Sequence, residues 1–199
     1  MMENLSFKFT KVRKVHNPTR NNFGDAGLDF YMPEDLTPED ILQANKNAKD
    51  IIITKVEYPT IKQPYLSKLI TDQETNHVTS ILIGPKSRIV IPSGIRVLLE
   101  PINSMMQVNN KSGRSTKQGL IFTAQVCDSP YTGEYHIGIY NTSKVSQELR
   151  ANESIVQFVH VPIFLSEPQE ISNDEFFELA ENWGTRGDNG MGSSNNQPK

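Results

Sequence analysis

Residues 110–141, NKSGRSTKQGLIFTAQVCDSPYTGEYHIGIYN, decide how the rest of the chain is read. They open with a small polar turn at Lys111, Ser112 and Gly113. Two runs of alternating apolar and polar residues follow, 120–126 and 135–140, joined by an acidic hinge at 128–133. Period-two alternation marks a half-buried strand, and Asp, Ser, Pro, Thr and Gly are turn formers. The pattern predicts a turn followed by a β-hairpin whose tip carries Asp128 three residues before Tyr131. Such a tip can hold a base and a flat ring against one small ligand; equally, an aspartate that opens a turn is an ordinary turn residue.

Strand signals continue on both sides. Upstream, RIVIPSGIRVLLE (88–100) reads as two strands about a turn at Pro92, Ser93 and Gly94. Downstream, SIVQFVHVPIFL (154–165) is the most apolar run in the chain, interrupted by Gln157. A polar amide on a buried strand needs partners, so Gln157 is either a satisfied core residue or a ligand contact. Residues 5–15, LSFKFTKVRKV, predict an opening strand with Leu5, Phe7, Phe9, Val12 and Val15 on or near one face. In GDAGLDFYMP (24–33), Asp25 and Asp29 flank small residues including Gly27, where backbone can pass close to a ligand with a carboxylate facing inward. The plainer reading is a loop entering a short strand at 28–32.

Residues 37–48 begin with Thr37, Pro38, Glu39 and Asp40, a cap, a proline at the first helical position and acids in the first turn, which predict a short helix. A β-branched run at 51–56 and a strand at 78–83 follow without a motif, so about 37–82 reads as an insertion. A second short helix is predicted at 173–182, capped by Asn173. The last residues, TRGDNGMGSSNNQPK, hold three glycines and no packing residue except Met191. They read either as a disordered tail or as a segment that folds over a phosphate through Arg186 and glycine backbone.

At 199 residues the chain is read as a single domain, 1–183, with a flexible tail at 184–199. A net charge of −3 with both signs scattered gives no surface for long nucleic acid. The lone cysteine, Cys127, cannot form an intrachain disulfide, and the N-terminus lacks the apolar segment of a secretory signal. No apolar run approaches the ~20 residues that span a bilayer, so a cytoplasmic protein is expected. The four histidines are scattered, and zinc spacing, a Ser/His/Asp order and a phosphate-binding glycine loop are absent from the sequence.

Five stretches in this order resemble the motifs of the homotrimeric dUTPase family: GDAGLDFYMP the first, NKSGRSTKQGL the second, AQVCDSPYTGEYHI the third, NESIVQF the fourth and RGDNGMGSS the fifth. In the second, Ser112 lies five residues before Lys117 and seven before Gly119, the family's spacing; Ser115 does not fit it. Lys111 therefore stands where the family has arginine, keeping the charge and losing the fork.

The resemblance implies an all-β protein, a distorted jelly-roll β-barrel with one or two short helices and the insertion. It implies hydrolysis of dUTP to dUMP and pyrophosphate, which keeps uracil out of DNA and supplies dUMP for thymidylate synthesis. Asp128 is then the general base that activates water for attack on the α-phosphorus. Tyr131 packs on the deoxyribose, and backbone from Thr123 to Val126 pairs with uracil. Lys111, Ser112, Gly113 and Gln157 hold phosphates, while Arg186, Met191, Gly192 and Ser193 close over the nucleotide. Asp29 supports a hydrated Mg²⁺ held chiefly by triphosphate and water rather than by direct protein ligands. The resemblance also implies a homotrimer with sites built from three chains, working in the cytoplasm.

Several positions depart from the family. Met191 replaces the phenylalanine that stacks on uracil, Gln125 a glycine, Thr132 an arginine and Ser154 the arginine of the fourth motif. The Asn/Lys/Thr-rich style and the insertion suit a phage or viral member, in which case the host cytoplasm is the place of action. Two alternatives stand beside hydrolysis. One is a regulatory or nucleotide-binding homologue with weak turnover, which the relaxed motifs favour and the intact Asp128, Tyr131, Ser112 and Arg186 oppose. The other is a dCTP deaminase of the same fold, which requires an acid in the strand after the third motif, where this chain reads EYHIGIYN with none beyond Glu134.

Overall fold

The computed structural model describes residues 6–47, 53–55 (backbone only) and 67–182. These fall into two units, residues 1–164 and 165–199. In the first, the strands are β1 (Ser6–Lys11), β2 (Leu28–Tyr31), β3 (Ile53–Lys55), β4 (Ser67–Thr71), β5 (Val78–Ile83), β6 (Arg88–Pro92) and β7 (Ile95–Glu100). They continue as β8 (Ser104–Asn109), β9 (Leu120–Phe122), β10 (Val126–Asp128), β11 (His136–Asn141), β12 (Gln147–Arg150) and β13 (Ser154–Pro162), with helix α1 (Pro38–Ala44) between β2 and β3. Four sheets result, ordered β1-β7, β10-β8-β13-β2, β6-β11-β9 and β12-β5-β4-β3. The architecture is the mostly β one the sequence predicts.

One core joins the sheets, because alternate residues of each strand point into it. Ile95, Val97 and Leu99 of β7 are buried while Arg96, Leu98 and Glu100 are exposed. Ile89 and Ile91 of β6, Ile81 and Ile83 of β5, Ile137 and Ile139 of β11 and Phe30 and Phe158 pack into the same cluster. Each such side chain contributes about 1.5–3 kcal/mol of transfer free energy. The opening strand is less buried than its alternation suggests. Phe9 and Val12 are exposed and only Val15 is fully inside, since β1 pairs with β7 alone in a two-stranded ribbon. Leu5 lies outside the described residues.

The predicted hairpin is a different object. Leu120–Phe122 does pair with β11, at Ile139↔Phe122, and Thr123 N–H donates to Gly138 O (3.0 Å). Its first run then breaks: residues 123–125 cross over, and Val126–Asp128 pair with β8 instead. The run 120–126 thus serves two sheets. A Cβ on Gly138 would lie 2.3 Å from Thr123 Oγ1, so the crossing needs glycine there.

Helix α1 starts at a capping box: Thr37 Oγ1 accepts from Asp40 N–H (3.3 Å) and Asp40 accepts from Thr37 N–H (2.9 Å). The helix stops at Ala44, before the predicted end. Asn45 then turns inward, donating from Nδ2 to Val90 O (2.8 Å) and accepting Val90 N–H (2.9 Å). Within the segment read as an insertion, β5 is woven into the core: it pairs with β12 on one edge and β4 on the other, and Val78, Ile81 and Ile83 are fully buried.

In the second unit, helix α2 (Asn173–Ala180) is capped by Ser172, whose hydroxyl accepts from Glu175 N–H (3.2 Å). Sequence assigned that role to Asn173, which is instead the first helical residue.

Candidate active site

The four-stranded sheet β10-β8-β13-β2 carries most of the predicted site residues in unit 1. Leu28 and Phe30 face the core, so Asp29 between them faces the opposite side, where register places it against Gln157 of β13, and Gln157 against Asn109 of β8. This polar row sits where β8 ends. Gln157 Nε2 donates to Asn110 O (2.9 Å), so the amide is satisfied while it also lines cavities on both sides. A Cβ on Gly27 would lie 2.5 Å from Gln157 Oε1; the small residue lets the first loop press against that amide.

After Asn110 the chain winds into a π-helical turn, Gly113–Lys117, where sequence suggested only a short polar turn. Ser115 N–H donates to Lys111 O (2.9 Å), and Gly119 closes the turn at φ +70°, with Thr142 Oγ1 only 2.9 Å from where its Cβ would be. The turn, Asp29, Ser154 and Gln157 enclose a cavity of about 530 Å³, lined by Lys111, Ser112, Gly113, Arg114 and Lys117. A second of about 650 Å³ adjoins it through Asn21, Asp29 and Gln157, and adds Asp25, Asn109 and Asn110. Three cations against one carboxylate make the first cavity a place for a polyanion.

Asp29 is 6% exposed and its charge is met by Lys111 Nζ at 2.6 Å and Asn21 Nδ2 at 3.2 Å. Lys111 also donates to Ser154 Oγ (2.8 Å). The serine at the arginine position of the fourth motif therefore anchors the lysine at the arginine position of the second. Arg114 is held by Glu153 (2.9 Å), Gln118 Oε1 (3.1 Å) and Ser154 O (3.3 Å). Sequence reasoning singled out neither Arg114 nor Asn21. The run of three cations in seven residues was the available signal for the former.

Asp128 and Tyr131 line neither cavity. Asp128 ends β10 opposite Met105, on the outward face that also carries Gln157 and Asp29. From Met105 to Asn109 is about 13 Å along β8, and from β10 to β13 about 10 Å across, at ordinary strand spacings. The carboxylate is solvent-exposed. Tyr131 N–H donates to Asp128 O (3.1 Å), and its hydroxyl donates to Glu134 O (3.0 Å), which lays the ring over Tyr135 at 6.0 Å and 22°. A Cβ on Gly133 would lie 2.4 Å from Tyr131 Oη, so the tyrosine's pose requires glycine. Thr123, Gln125 and Val126 are exposed beside the same turn. Arg186, Met191, Gly192 and Ser193 lie outside the described residues.

Cys127, pointing inward beside Asp128, has its thiol pushed up to about 11 by burial and then by the Asp128 charge. A raised value keeps the thiol protonated at neutral pH, and only the thiolate reacts. Alkylation by iodoacetamide is therefore expected to be slow at pH 8 and to accelerate toward pH 11. Asp128→Asn, by removing a negative charge, should speed it at pH 8. Rates indifferent to that substitution would contradict the proximity of the two groups.

The chain matches the dUTPase family model over residues 76–195, more than half its length. The chain belongs to the dUTPase family. Among dUTPase relatives, a deoxyuridine 5′-triphosphate nucleotidohydrolase of Wolbachia pipientis is 32% identical over 117 residues, 56% of this chain and 73% of that one. One of Aeromonas salmonicida is 28% identical over 119 residues, covering 59% and 74%. The dUTPase fold is seen again in a Staphylococcus bacteriophage 80alpha dUTPase mutant with dUpNHpp, with a TM-score of 0.64 at 18% identity, covering 95% of this chain and 98% of that one. In this dUTPase-family chain the stretches resembling the first, second and fourth motifs thus meet around one pair of cavities, while the third stands apart on its own turn. No helix among the described residues is long and apolar enough to cross a membrane.

Proposed function

We propose that this family member hydrolyses dUTP to dUMP and pyrophosphate at sites shared between chains of a homotrimer. The observation that carries the reading is the separation of a cationic cavity from an exposed carboxylate and aromatic on one sheet face. Neither half is sufficient for in-line attack on a phosphate, and a neighbouring chain can bring one half to the other. Between them the sheet turns Met105, Val126, Val159 and Val161 outward, apolar side chains that a neighbour would cover.

On this reading the triphosphate lies against Lys111, Ser112, Gly113 and Gln157, with the guanidinium of Arg186 closing from the tail. Asp128 of another chain accepts the proton of the attacking water, and Tyr131 faces the sugar. Phosphoryl transfer of this kind needs positioning and charge neutralisation more than covalent help. No three acidic, histidine or cysteine side chains among the described residues gather into a metal cage. The pair Asp25 and Asp29 lining one cavity suits a hydrated Mg²⁺ carried in by the phosphates, with Asp29 already engaged by Lys111. Such an ion would neutralise phosphate charge. The reaction is assigned to the cytoplasm, the host's if the chain is phage-encoded.

The test is a panel of deoxynucleoside triphosphates with Mg²⁺, run beside a measurement of mass in solution. Pyrophosphate from dUTP alone and a trimeric mass are expected; ammonia from dCTP, or a stable monomer with full activity, would overturn the reading. Met191 offers a second check. A thioether covers a ring less rigidly than phenyl, so Met191→Phe should lower KM for dUTP. An unchanged KM would mean that the tail does not cover the base.

A further inference from the structure

The turn that carries Asp128 and Tyr131 is fastened from behind by Glu134, and Glu134 by a residue far away in sequence. Its side chain, 13% exposed, accepts Gly94 N–H at 2.7 Å and Arg13 Nε–H at 2.8 Å, with Arg13 Nη2 at 3.4 Å from the other oxygen. The main-chain oxygen of Glu134 meanwhile accepts the Tyr131 hydroxyl (3.0 Å), and His136 Nδ1 lies 2.8 Å from it. Arg13 does not stop there. Its Nη1 reaches Asp40 Oδ1 at 3.0 Å, and Asp40 is the carboxylate that closes the capping box of α1.

One guanidinium therefore bridges two carboxylates, one at the foot of the Asp128 turn and one on α1. The helix is itself fixed at its far end, through Asn45, to β6, which pairs with β11 directly after the turn. Gly94, at φ +74°, leaves room for the stem of Arg13: a Cβ there would lie 3.0 Å from the Arg13 Cβ. A planar, forked cation can satisfy both acids at once, which a point charge cannot.

We propose that Arg13 is a positioning residue for nucleotide hydrolysis, setting the height of the Asp128–Tyr131 turn by clamping Glu134 to Asp40 of α1. The inference rests on the reading of Asp128 as the general base. It gives α1, in the segment without a sequence motif, a part in the reaction. A cavity of about 340 Å³ lined by Arg13, Asp40, Gln43, Lys46 and His136 opens onto the clamp, so a small cation can enter from solvent.

The experiment measures dUTP hydrolysis by full-length wild type, Arg13→Ala, Arg13→Lys, Asp40→Asn and Thr37→Ala, with thermal unfolding of each. A displacement of about 1 Å in a reacting group can cost two orders of magnitude. Arg13→Ala should thus lose roughly 10- to 100-fold in kcat, with KM for dUTP within about 3-fold. Guanidinium ion below denaturing concentration should restore part of the Arg13→Ala rate and leave wild type unchanged. Thr37→Ala uncaps the helix without removing the guanidinium and should keep its kcat. An unchanged kcat in Arg13→Ala overturns the proposal. So does a loss that Thr37→Ala shares and guanidinium does not relieve. If Arg13→Ala fails to fold, a lowered kcat with retained KM in both Arg13→Lys and Asp40→Asn supports the clamp, and unchanged values overturn it. Wild type inert on dUTP overturns the underlying reading as well. Activity that Asp128→Asn destroys and the Arg13 series leaves untouched overturns the clamp alone.

Discussion

Asp128→Asn is expected to lower kcat for dUTP about 10²- to 10⁴-fold while leaving KM nearly unchanged, the usual weight of a general base. The amide is close to isosteric and the carboxylate is solvent-exposed, so folding should not suffer. Lys111→Gln, which keeps a donor for Asp29 but removes the charge facing the phosphates, should be impaired in a different way, chiefly in KM. The two variants then provide a geometric test. If Asp128 and Lys111 of one site come from different chains, subunits mixed by denaturing and refolding the two variants together will form some sites intact in both respects. Random assembly makes that fraction about one quarter in a closed ring of head-to-tail contacts. Recovery near that level supports the shared site; a mixture no better than its components refutes it.

The largest expected loss of stability is at Phe158. This ring is 1% exposed, 4.3 Å from Phe30 and 5.7 Å from Tyr135, on the strand between β2 and β8. Truncation to Ala should cost about 3–5 kcal/mol, from the lost transfer free energy and the cavity left behind. That is a large share of a typical domain's total. Phe164→Ala, at a residue 99% exposed, should stay within about 0.5 kcal/mol of wild type. Denaturant midpoints at one fixed protein concentration compare them, since unfolding of an oligomer depends on concentration. A Phe158→Ala loss under about 1 kcal/mol would mean that this part of the core collapses around the gap.

Much of this was legible in the residues because it is local. Alternation in 88–100 located β6 and β7, the apolar run 154–165 located β13, and Thr37 with Pro38 and Asp40 located α1. What failed is nonlocal. Nothing in the alternation of 120–126 announces that the run leaves β11 for β8 at Thr123, because both partners offer the same pleated edge. The clamp by Arg13 was invisible for a related reason: Glu134 is 121 residues away, and an arginine in a basic opening strand looks like a solvated charge. Of the site, Asp29, Lys111 and Gln157 do converge with Ser112 and Gly113 on one pair of cavities. Ser154, noted in sequence only as a missing arginine, proves to hold the lysine that follows the neighbouring strand β8.

The split between the cavity and the exposed turn also bears on how output follows abundance. On the proposed shared-site reading, a protomer that must borrow half of its chemistry is idle while alone, and at low expression encounters between copies limit the number of working centres. At concentrations below the dissociation constant of such an assembly, doubling synthesis would more than double turnover, so a cell beginning to make this chain would pass from little activity to full activity over a narrow span of protein level.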